Sequence, residues 1–172
     1  MKSLVFRKCK ESDLRKVLEI YNFHIENNLG NFEENINTYK EFKKKYLNIV
    51  NLKLPFIVCE QNLCLIGFAY LTPFRDRSGY RYTFENSIYM NSNYIGMGIG
   101  SKLLKNLVSL SKKNKQIKNI IAVIGNKKNK NSIEVHKKNG FKICGILKRV
   151  GFKKNKWLDS IYMQNILYEK NK

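Results

Sequence analysis

The chain has 172 residues and carries 33 Lys and Arg against 13 Asp and Glu, a formal charge of +20. Its 43% of hydrophobic residues can bury a core, which excludes a disordered chain, and its length fits one domain over residues 1–172. No apolar run approaches a membrane span and residues 1–10 hold no apolar signal segment, so we expect neither membrane insertion nor secretion. The four cysteines form no C-x-x-C pair, which predicts a reduced, cytoplasmic protein without a metal site.

The positive charge is concentrated in the second half of the chain. Residues 1–86 have a net charge of +4, whereas residues 87–172 have a net charge of +16. A basic half of this kind favours polyanionic partners, including nucleic acid. However, 27 of the 33 basic residues are lysine, and lysine has AT-rich codons, so a biased genome explains the excess equally well.

Hydrophobic spacing predicts two helices and three strands in the first half of the chain. Ser12 and Asp13 offer an N-cap for the first helix, and Pro55 ends the region of the second. The predicted elements are, in chain order, a strand over residues 2–9, a helix over 14–25, a helix over 39–50, and hairpin strands over 56–60 and 64–71.

The second half is predicted to contain a long strand followed by alternating helices and strands. The predicted elements are a polar loop over residues 73–79, a strand over 80–90, a helix over 99–111, a buried strand over 120–124, a short helix ending at Gly140, and closing strands over 141–150 and 158–167. The whole pattern favours one mixed α+β domain.

Strict alternation divides the strand predicted over residues 80–90 into two faces. One face holds Tyr80, Tyr82, Phe84, Asn86, Ile88 and Met90. The other face holds Arg81, Thr83, Glu85, Ser87 and Tyr89.

A glycine-bearing loop joins this strand to the following helix. Gly96, Gly98 and Gly100 recur at every second position, which lets the backbone approach a ligand closely. The helix N-terminus beyond the loop points unpaired N–H groups at an anion such as a pyrophosphate. A tight strand-to-helix turn explains the same glycines about as well, and the loop is neither a Walker loop nor a dinucleotide fingerprint.

The context of this loop resembles the GNAT N-acetyltransferase superfamily, and within it the phosphinothricin acetyltransferase family. The string R-x-R-x-x-Y-x-x-T-x-E-x-S-x-Y over residues 75–89 carries most of the resemblance. Further matching motifs are I-Y-N at 20–22, G-F-A-Y at 67–70, A-V-I-G at 122–125, N-x-x-S at 129–132, G-F-K at 151–153 and W-L-D at 157–159. The resemblance spans residues 6–167, nearly the whole chain.

The resemblance implies a mostly antiparallel central sheet with a splayed strand pair, flanked by about four helices. It also implies acetyl-CoA as co-substrate, without a metal, and a backbone N–H near residues 88–90 as the oxyanion donor. The residues expected to contact acetyl-CoA are Ile88, Tyr89, Met90, Ile95, Gly96, Met97, Gly98, Ile99, Gly100, Ser101, Asn129 and Ser132.

Two departures from the family pattern bear on ligand binding. Ile95 and Met97 stand where the family usually carries basic residues, and we expect long-range attraction from Lys127, Lys128 and Lys130 to compensate partly. The small residues before Tyr80 are also altered, to Ser and Gly at positions 78 and 79, which affects the substrate pocket.

Two residues are candidates for acid–base catalysis. The family places its proposed base at Glu85, which would draw the proton from the acceptor amine directly or through water. His136 falls where many GNAT enzymes carry a residue that protonates the CoA sulfur, and its near-neutral pKa suits that role. The alternatives are an exposed strand glutamate and a helix-surface histidine, and His24 is expected to be structural or exposed.

The substrate site is expected just before the proposed base. Arg75, Arg77, Tyr80 and Thr83 are the candidate substrate-binding residues, since guanidinium groups bind acidic groups in a planar fork. The alternative is a solvated loop paired internally through its one aspartate. Other aromatic residues are assigned to the core or pocket rim, with core preferred for Phe152 and Trp157.

The predicted function is transfer of an acetyl group from acetyl-CoA to the amine of a small amino acid or analogue. Phosphinothricin, methionine sulfoximine and methionine sulfone represent the acceptor class that the resemblance implies. The alternatives are a protein or peptide amine acetyltransferase and, less favoured, a basic nucleic-acid-binding module. The family is commonly dimeric, so the resemblance also suggests a homodimer.

Overall fold

The fold follows from a computed structural model that describes residues 3–126 and 129–168. Its elements confirm the predicted order of strands and helices. They are β1 (Leu4–Lys8), α1 (Leu14–Asn27), α2 (Tyr39–Asn51), β2 (Phe56–Gln61), β3 (Cys64–Pro73), β4 (Thr83–Met90), α3 (Ile99–Lys113), β5 (Asn119–Gly125), α4 (Lys130–Lys138), β6 (Lys142–Lys153) and β7 (Lys156–Ile166).

The described strands form one seven-stranded sheet in the order β1-β2-β3-β4-β5-β7-β6. All neighbouring strands are antiparallel except β4 and β5, which run parallel. The β4–β5 pairing covers only Thr83–Glu85 against 119–121, although β4 continues to Met90. The two strands therefore diverge in the middle of the sheet, which confirms the expected splayed pair.

The two faces of β4 meet different helices. On one face, Tyr89 contacts Tyr21 of α1, which in turn packs against Phe42 of α2. On the other face, Asn86 hydrogen-bonds His136 of α4. We refer to these as the α1/α2 side and the α3/α4 side of the sheet.

Buried apolar residues on both sides of the sheet form the core. Phe68 of β3 and Phe42 of α2 are fully buried on the α1/α2 side. Leu103, Leu104 and Leu107 of α3 are also fully buried, following the predicted helical spacing. Burying a side chain of this size stabilises a fold by roughly 1.5–3 kcal/mol, so these helices are held chiefly by their packing on the sheet.

Local sequence signals set the helix starts. Thr38 and Glu41 form a capping box at α2, in which the Thr38 Oγ1 accepts the Glu41 N–H at 3.3 Å and the Glu41 carboxylate accepts the Thr38 N–H at 2.8 Å. At α4, the Asn129 side chain accepts the Ser132 N–H at 3.2 Å. Both helices therefore begin where a side chain satisfies a free backbone donor.

Two local predictions were wrong. The strand expected from residue 80 begins at Thr83, because Ser78–Tyr80 instead forms a 3-10 turn that places Tyr80 outside the ladder. Phe152 and Trp157, assigned to the core, are 49% and 55% exposed and pack against each other at 5.1 Å between ring centroids. They lie beside the turn of the β6–β7 hairpin, at one edge of the sheet, where packing covers only about half of each ring.

Candidate active site

A cavity of about 1240 Å³ opens where β4 and β5 diverge. Its walls come from residues 85–90 of β4, residues 122–124 of β5, the glycine loop before α3, the length of α4, and the α1–α2 loop (residues 28–38). The splay is the physical cause, because two strands that separate cannot pair their backbones and leave a cleft between them. The cavity reaches both the α1/α2 side and the α3/α4 side.

The glycine loop borders the cavity on the α3/α4 side. Gly96 and Gly98 have φ values of +85° and +74°, a region that residues with a Cβ rarely adopt. A Cβ added at either glycine would meet no atom within 4 Å, so conformation rather than crowding requires glycine there. Gly98 is the N-cap of α3, and the free N–H groups of that helix start beside the cavity.

The backbone of β4 supplies further donors to the cleft. The Asn91 N–H donates to the Ile66 carbonyl of β3 at 2.8 Å, so the odd-numbered residues of β4 turn their N–H and C=O groups toward β3. Alternation then directs the N–H and C=O groups of Ile88 and Met90 away from β3 and into the cleft. The Met90 carbonyl accepts the His24 Nε2–H at 2.7 Å, so His24, expected to be structural or exposed, is half-buried and anchors the end of β4.

His136 lies in the cavity wall and is 2% exposed, which excludes the helix-surface alternative. Its Nδ1 lies 2.8 Å from the Ser132 carbonyl, which can only accept, so Nδ1 carries the hydrogen. Burial lowers the pKa of His136, and its Nε2 therefore has a lone pair, which accepts from the Asn86 Nδ2 at 3.0 Å. This orientation of Asn86, which is 6% exposed, leaves its Oδ1 buried without a hydrogen-bond partner.

Glu85 lies on the α1/α2 side of the cavity, as predicted from the alternation. It pairs across the ladder with Thr72 of β3, and Ser87 follows it on the same face. Burial raises the pKa of Glu85, and the charge of Arg75 opposes that rise. A carboxylate with a raised pKa beside a cavity is suited to taking a proton from a ligand near neutral pH.

Tyr89 forms an aromatic wall next to this carboxylate. Its ring lies 5.1 Å from Tyr21, 5.2 Å from Phe68 and 5.4 Å from His24, measured between centroids. The Asn31 amide donates to its hydroxyl at 3.4 Å, and burial raises the pKa of Tyr89 well above its ordinary value. Tyr89 is therefore a neutral, rigid part of the wall.

A charged cluster at the edge of this wall was not predicted from the sequence. The Lys45 ammonium donates to the Tyr21 hydroxyl at 2.8 Å and to the Glu33 carboxylate at 3.0 Å. The Tyr21 hydroxyl also donates to Glu33, at 2.5 Å, and Asn37 donates to its other oxygen at 2.8 Å. Burial opposes ionisation of Glu33, but these donors outweigh it and lower the pKa of that carboxyl.

The structure brings most predicted site residues to the cavity. Those that line it are Glu85, His136, Ile88, Tyr89, Met90, Ile95, Gly96, Gly98, Gly100, Ser101, Asn129 and Ser132. Met97 is 64% exposed and Ile99 lies in the core, so neither side chain belongs to the lining. Lys130 is exposed, and Lys127 and Lys128 lie outside the described residues.

The predicted substrate residues stand apart from the cavity. Arg75, Arg77, Tyr80 and Thr83 are absent from its described lining. Arg75 lies over the Phe74 ring at 5.1 Å, and Tyr80 packs edge-on against the same ring at 5.8 Å. Their contribution to substrate binding stays a prediction.

The described residues contain no group of three or more His, Cys, Asp and Glu side chains placed to hold a metal ion. No helix within residues 3–126 and 129–168 is long and apolar enough to cross a membrane. The four cysteines are free thiols, of which Cys9 and Cys59 are buried and Cys64 and Cys144 exposed.

Comparison with known proteins identifies relatives over most of the chain. The acetyltransferase (GNAT) domain family matches residues 6–162. The phosphinothricin N-acetyltransferase of Alcaligenes faecalis is 34% identical over 161 residues, which cover 94% of this chain and 81% of that protein. The L-methionine sulfoximine/L-methionine sulfone acetyltransferase of Salmonella typhimurium strain LT2 is 33% identical over 113 residues, 66% of this chain and 65% of that protein.

Solved structures share the fold closely. A GNAT superfamily phosphinothricin acetyltransferase from Sinorhizobium meliloti, in complex with acetyl-CoA, superposes with a TM-score of 0.92 at 33% identity, covering 98% of this chain and 90% of that one. The yncA protein of Salmonella typhimurium, with its cofactor acetyl-CoA, gives a TM-score of 0.94 at 28% identity, covering 99% and 97%.

Proposed function

The chain belongs to the GNAT family of acetyl-CoA-dependent N-acetyltransferases, and we propose that its acceptor is the amino group of a small amino acid or analogue. Phosphinothricin, methionine sulfoximine and methionine sulfone, which the relatives' names include, represent that class. The single observation that carries the proposal is the position of Glu85. Its half-buried carboxylate faces the cavity on the same strand, β4, whose edge presents the free backbone donors.

Acetyl-CoA fits the groups that the α3/α4 side presents. Its pyrophosphate is an anion, and the loop through Gly96 and Gly98 leads into the N-terminus of α3, where free N–H groups bind anions. Its pantetheine arm carries amide groups, and the open edge of β4 offers the Ile88 C=O and the Met90 N–H. These are backbone contacts, so they do not require the basic residues that Ile95 and Met97 replace.

Acetyl-CoA supplies the activated acetyl thioester, and the residues of this chain move the protons and stabilise the developing charge. Glu85 takes a proton from the acceptor ammonium, directly or through a water, and so frees the lone pair that forms the new C–N bond. The Ile88 N–H stabilises the oxyanion that develops on the acetyl oxygen. As the C–S bond breaks, the attacking nitrogen loses a second proton, which passes to the leaving thiolate or to solvent.

His136 is our candidate for delivering a proton to the sulfur of the leaving thiolate. Its resting state is neutral because burial lowers its pKa, with Nε2 occupied by the Asn86 amide. Because Nε2 carries no hydrogen in this state, Asn86 must release that nitrogen, which then takes the proton lost by the attacking amine and passes it to the leaving thiolate. We assign the sulfur-side chemistry to the pair rather than to the imidazole alone.

The substrate residues predicted from the family motif keep a supporting role in this proposal. The charge of Arg75 opposes the rise in the pKa of Glu85, which supports a role for this guanidinium at the acceptor end of the site. Arg77, Tyr80 and Thr83 follow in the same segment, and we propose that they contact an acidic or sulfonyl group that extends beyond the cavity.

One assay tests the function directly. Thiol release from acetyl-CoA is measured across a panel of L-amino acids, sulfoximines, sulfones and phosphinates, with a peptide bearing a free N-terminus as the comparison. We expect turnover with at least one small acceptor and a thermal shift with CoA. Turnover with the peptide alone would favour the protein amine acetyltransferase, and the absence of both turnover and CoA binding would overturn the proposal.

We also propose that the chain is one domain over residues 1–172 and forms a homodimer through β6. This strand is the edge of the sheet and exposes Ile143, Ile146, Leu147 and Val150, each by 45% or more. A long apolar edge strand is a template for pairing with another chain. Sedimentation equilibrium tests this, and a monomer at micromolar concentration would contradict it.

The remaining expectations concern location and the basic charge. We propose a cytoplasmic location because the four free thiols suit a reducing compartment. We do not favour a nucleic-acid partner, since the described cavity lining holds only Lys45 and Lys138 among its basic side chains.

A further inference from the structure

A buried lysine lies outside the machinery of the proposed reaction. Lys153, the last residue of β6, is 2% exposed. Among residues 3–126 and 129–168 it is the one Lys, Arg, Asp or Glu side chain that is buried. Taking an ammonium group out of water is costly unless other polar groups replace the water. The groups that contact this ammonium therefore indicate what the lysine does.

The Lys153 ammonium joins the end of α1 to the loop that follows it. Its Nζ donates to the Ile25 carbonyl at 2.7 Å and to the Asn31 carbonyl at 2.6 Å. Ile25 lies in the last turn of α1, where carbonyls have no partner within the helix and form the negative end of its dipole. Asn31 belongs to the α1–α2 loop. One cation therefore holds the helix end and the loop together.

The hairpin that carries Lys153 is short. Lys153 pairs with Lys156 across a two-residue turn of Lys154 and Asn155, whose φ values are +49° and +56°. Two successive left-handed residues are typical of the type I′ turn, whose twist matches that of the paired strands. The ammonium is therefore presented from a fixed position at the end of the β6–β7 ladder.

Two glycines complete the contact between this loop and the sheet. A Cβ added at Gly151 of β6 would lie within 3 Å of three atoms of the Phe32 ring, and a Cβ added at Gly125 of β5 would lie 3.0 Å from Phe32 Cζ. Neither glycine has a positive φ, so space rather than conformation requires glycine there. The Phe32 ring therefore packs directly on the backbone of β5 and β6.

The same loop forms a wall of the cavity. Asn31 and Phe32 both line it. The Asn31 amide donates to the Tyr89 hydroxyl at 3.4 Å, and the Asn31 Oδ1 accepts the Glu33 N–H at 2.9 Å. Asn31 thus contacts the buried ammonium through its carbonyl and the aromatic wall beside Glu85 through its side chain.

We propose that Lys153 is a positioning residue for the acceptor side of the cavity, because its ammonium holds the α1–α2 loop against the β6–β7 hairpin. This inference rests on the proposed function for its kinetic consequence, and it adds a residue that is absent from the described lining of the cavity. Lys153 acts through Asn31 and Phe32 and contributes no group to the chemistry. Its loss should therefore impair use of the acceptor and leave acetyl-CoA binding on the α3/α4 side unchanged.

Lys153→Met tests the kinetic consequence, because it removes the charge and keeps an unbranched side chain. We expect kcat/KM for the best acceptor of the panel to fall by about 10-fold or more, since a displaced wall misaligns the acceptor. The KM for acetyl-CoA should change by less than about 2-fold. Lys156→Met, at the exposed partner position of the same hairpin, is the control and should change neither quantity.

Hydrogen exchange measures the loop itself, without an acceptor. The amides of residues 29–33 should exchange about 10-fold faster or more in Lys153→Met than in the wild type, because a hydrogen bond to a charged group contributes at least that factor. The amides of α3 should keep their rates. A general loss of stability would instead raise the exchange rates of both segments.

Gly151→Ala perturbs the same contact from the other side. Its Cβ would displace the Phe32 ring and leave Lys153 in place, so this variant should reproduce the loss that is specific to the acceptor. Gly145→Ala is the matched control on β6, because its added Cβ meets no atom within 4 Å. This pair also decides the question if thermal unfolding shows that Lys153→Met does not fold.

The contrary outcomes are distinct. Equal losses for the acceptor and for acetyl-CoA, or a lower Tm with unchanged kinetics, would show that Lys153 only stabilises the fold and would overturn the inference. Unchanged exchange at residues 29–33 would overturn it as well. A wild type that acetylates no acceptor overturns the proposed function and the kinetic part of this inference, while the exchange rates still test the loop contact.

Discussion

The two sides of β4 show two ways of building a binding site. On the α3/α4 side the groups that we propose for ligand binding, apart from the buried Asn86–His136 pair, are backbone groups of the glycine loop, the start of α3 and the open edge of β4. On the α1/α2 side the charged groups of the cavity wall are side chains from separate elements, with Glu85 on β4, Lys45 on α2 and Glu33 on the loop between α1 and α2. Backbone sites depend on local conformation, whereas side-chain sites depend on which elements meet.

The two sides also differ in how their polar groups are satisfied. Every member of the Lys45 cluster has hydrogen-bond partners within the described structure. On the other side, the Asn86 Oδ1 is buried without one. An unpaired buried acceptor costs free energy, so the unpaired Oδ1 of the Asn86–His136 pair lowers the free energy of unfolding. The Lys45 cluster has no unpaired buried atom among the described residues and carries no such cost.

The largest effect is expected from the proposed base. Glu85→Gln should lower turnover by about 10²-fold or more and leave CoA affinity unchanged, since general-base catalysis contributes at least that much. Isothermal titration with CoA and steady-state kinetics measure the two quantities. Glu19→Gln, an exposed substitution on α1, is the control, and unchanged turnover in Glu85→Gln would remove Glu85 from the role.

The same substitution tests the raised pKa of Glu85. A carboxyl whose pKa is higher in the folded than in the unfolded state binds more protons when folded. The free energy of unfolding therefore falls as pH rises from the ordinary pKa of a glutamate through the raised pKa of Glu85. Glu85→Gln should therefore raise Tm near neutral pH and reduce the gain of Tm seen on acidification. The acid limb of the wild-type kcat/KM profile should lie above the ordinary pKa of a glutamate.

An intermediate effect is expected for the buried pair on the α3/α4 side. His136→Leu leaves both polar atoms of Asn86 unpaired and should lower the free energy of unfolding by about 1–3 kcal/mol in urea denaturation. Adding Asn86→Leu removes those groups and should recover most of the loss. A double variant no more stable than the single one would contradict the hydrogen-bonding scheme.

The smallest effect is expected in the glycine loop. Gly98→Ala forces a Cβ into φ +74°, at a cost of roughly 1–2 kcal/mol for the left-handed region, and should weaken CoA binding several-fold. Gly145→Ala on β6 is the matched control, because its added Cβ also meets no atom within 4 Å and its φ is ordinary. Equal CoA affinity in both variants would show that the loop conformation is not needed for binding.

The sequence by itself determined the order of the elements, the two faces of β4 and the position of the glycine loop. Each of these follows from local periodicity or local conformation, with Glu85 placed by simple alternation along a strand. One local feature was predicted wrongly, the start of β4. A turn at Ser78–Tyr80 replaces the expected strand, because the i→i+3 hydrogen bonds of the turn compete with those of the β-ladder.

Only the tertiary structure decided which side chains meet across the chain. Lys45 and Tyr21 are 24 residues apart, and Asn86 and His136 are 50 residues apart, so no local pattern connects them. The same reason explains why Arg75, Arg77, Tyr80 and Thr83 match a motif yet stand outside the cavity lining, and why Phe152 and Trp157 are exposed. Periodicity tells which residues share a face, but burial and pairing depend on what packs against that face.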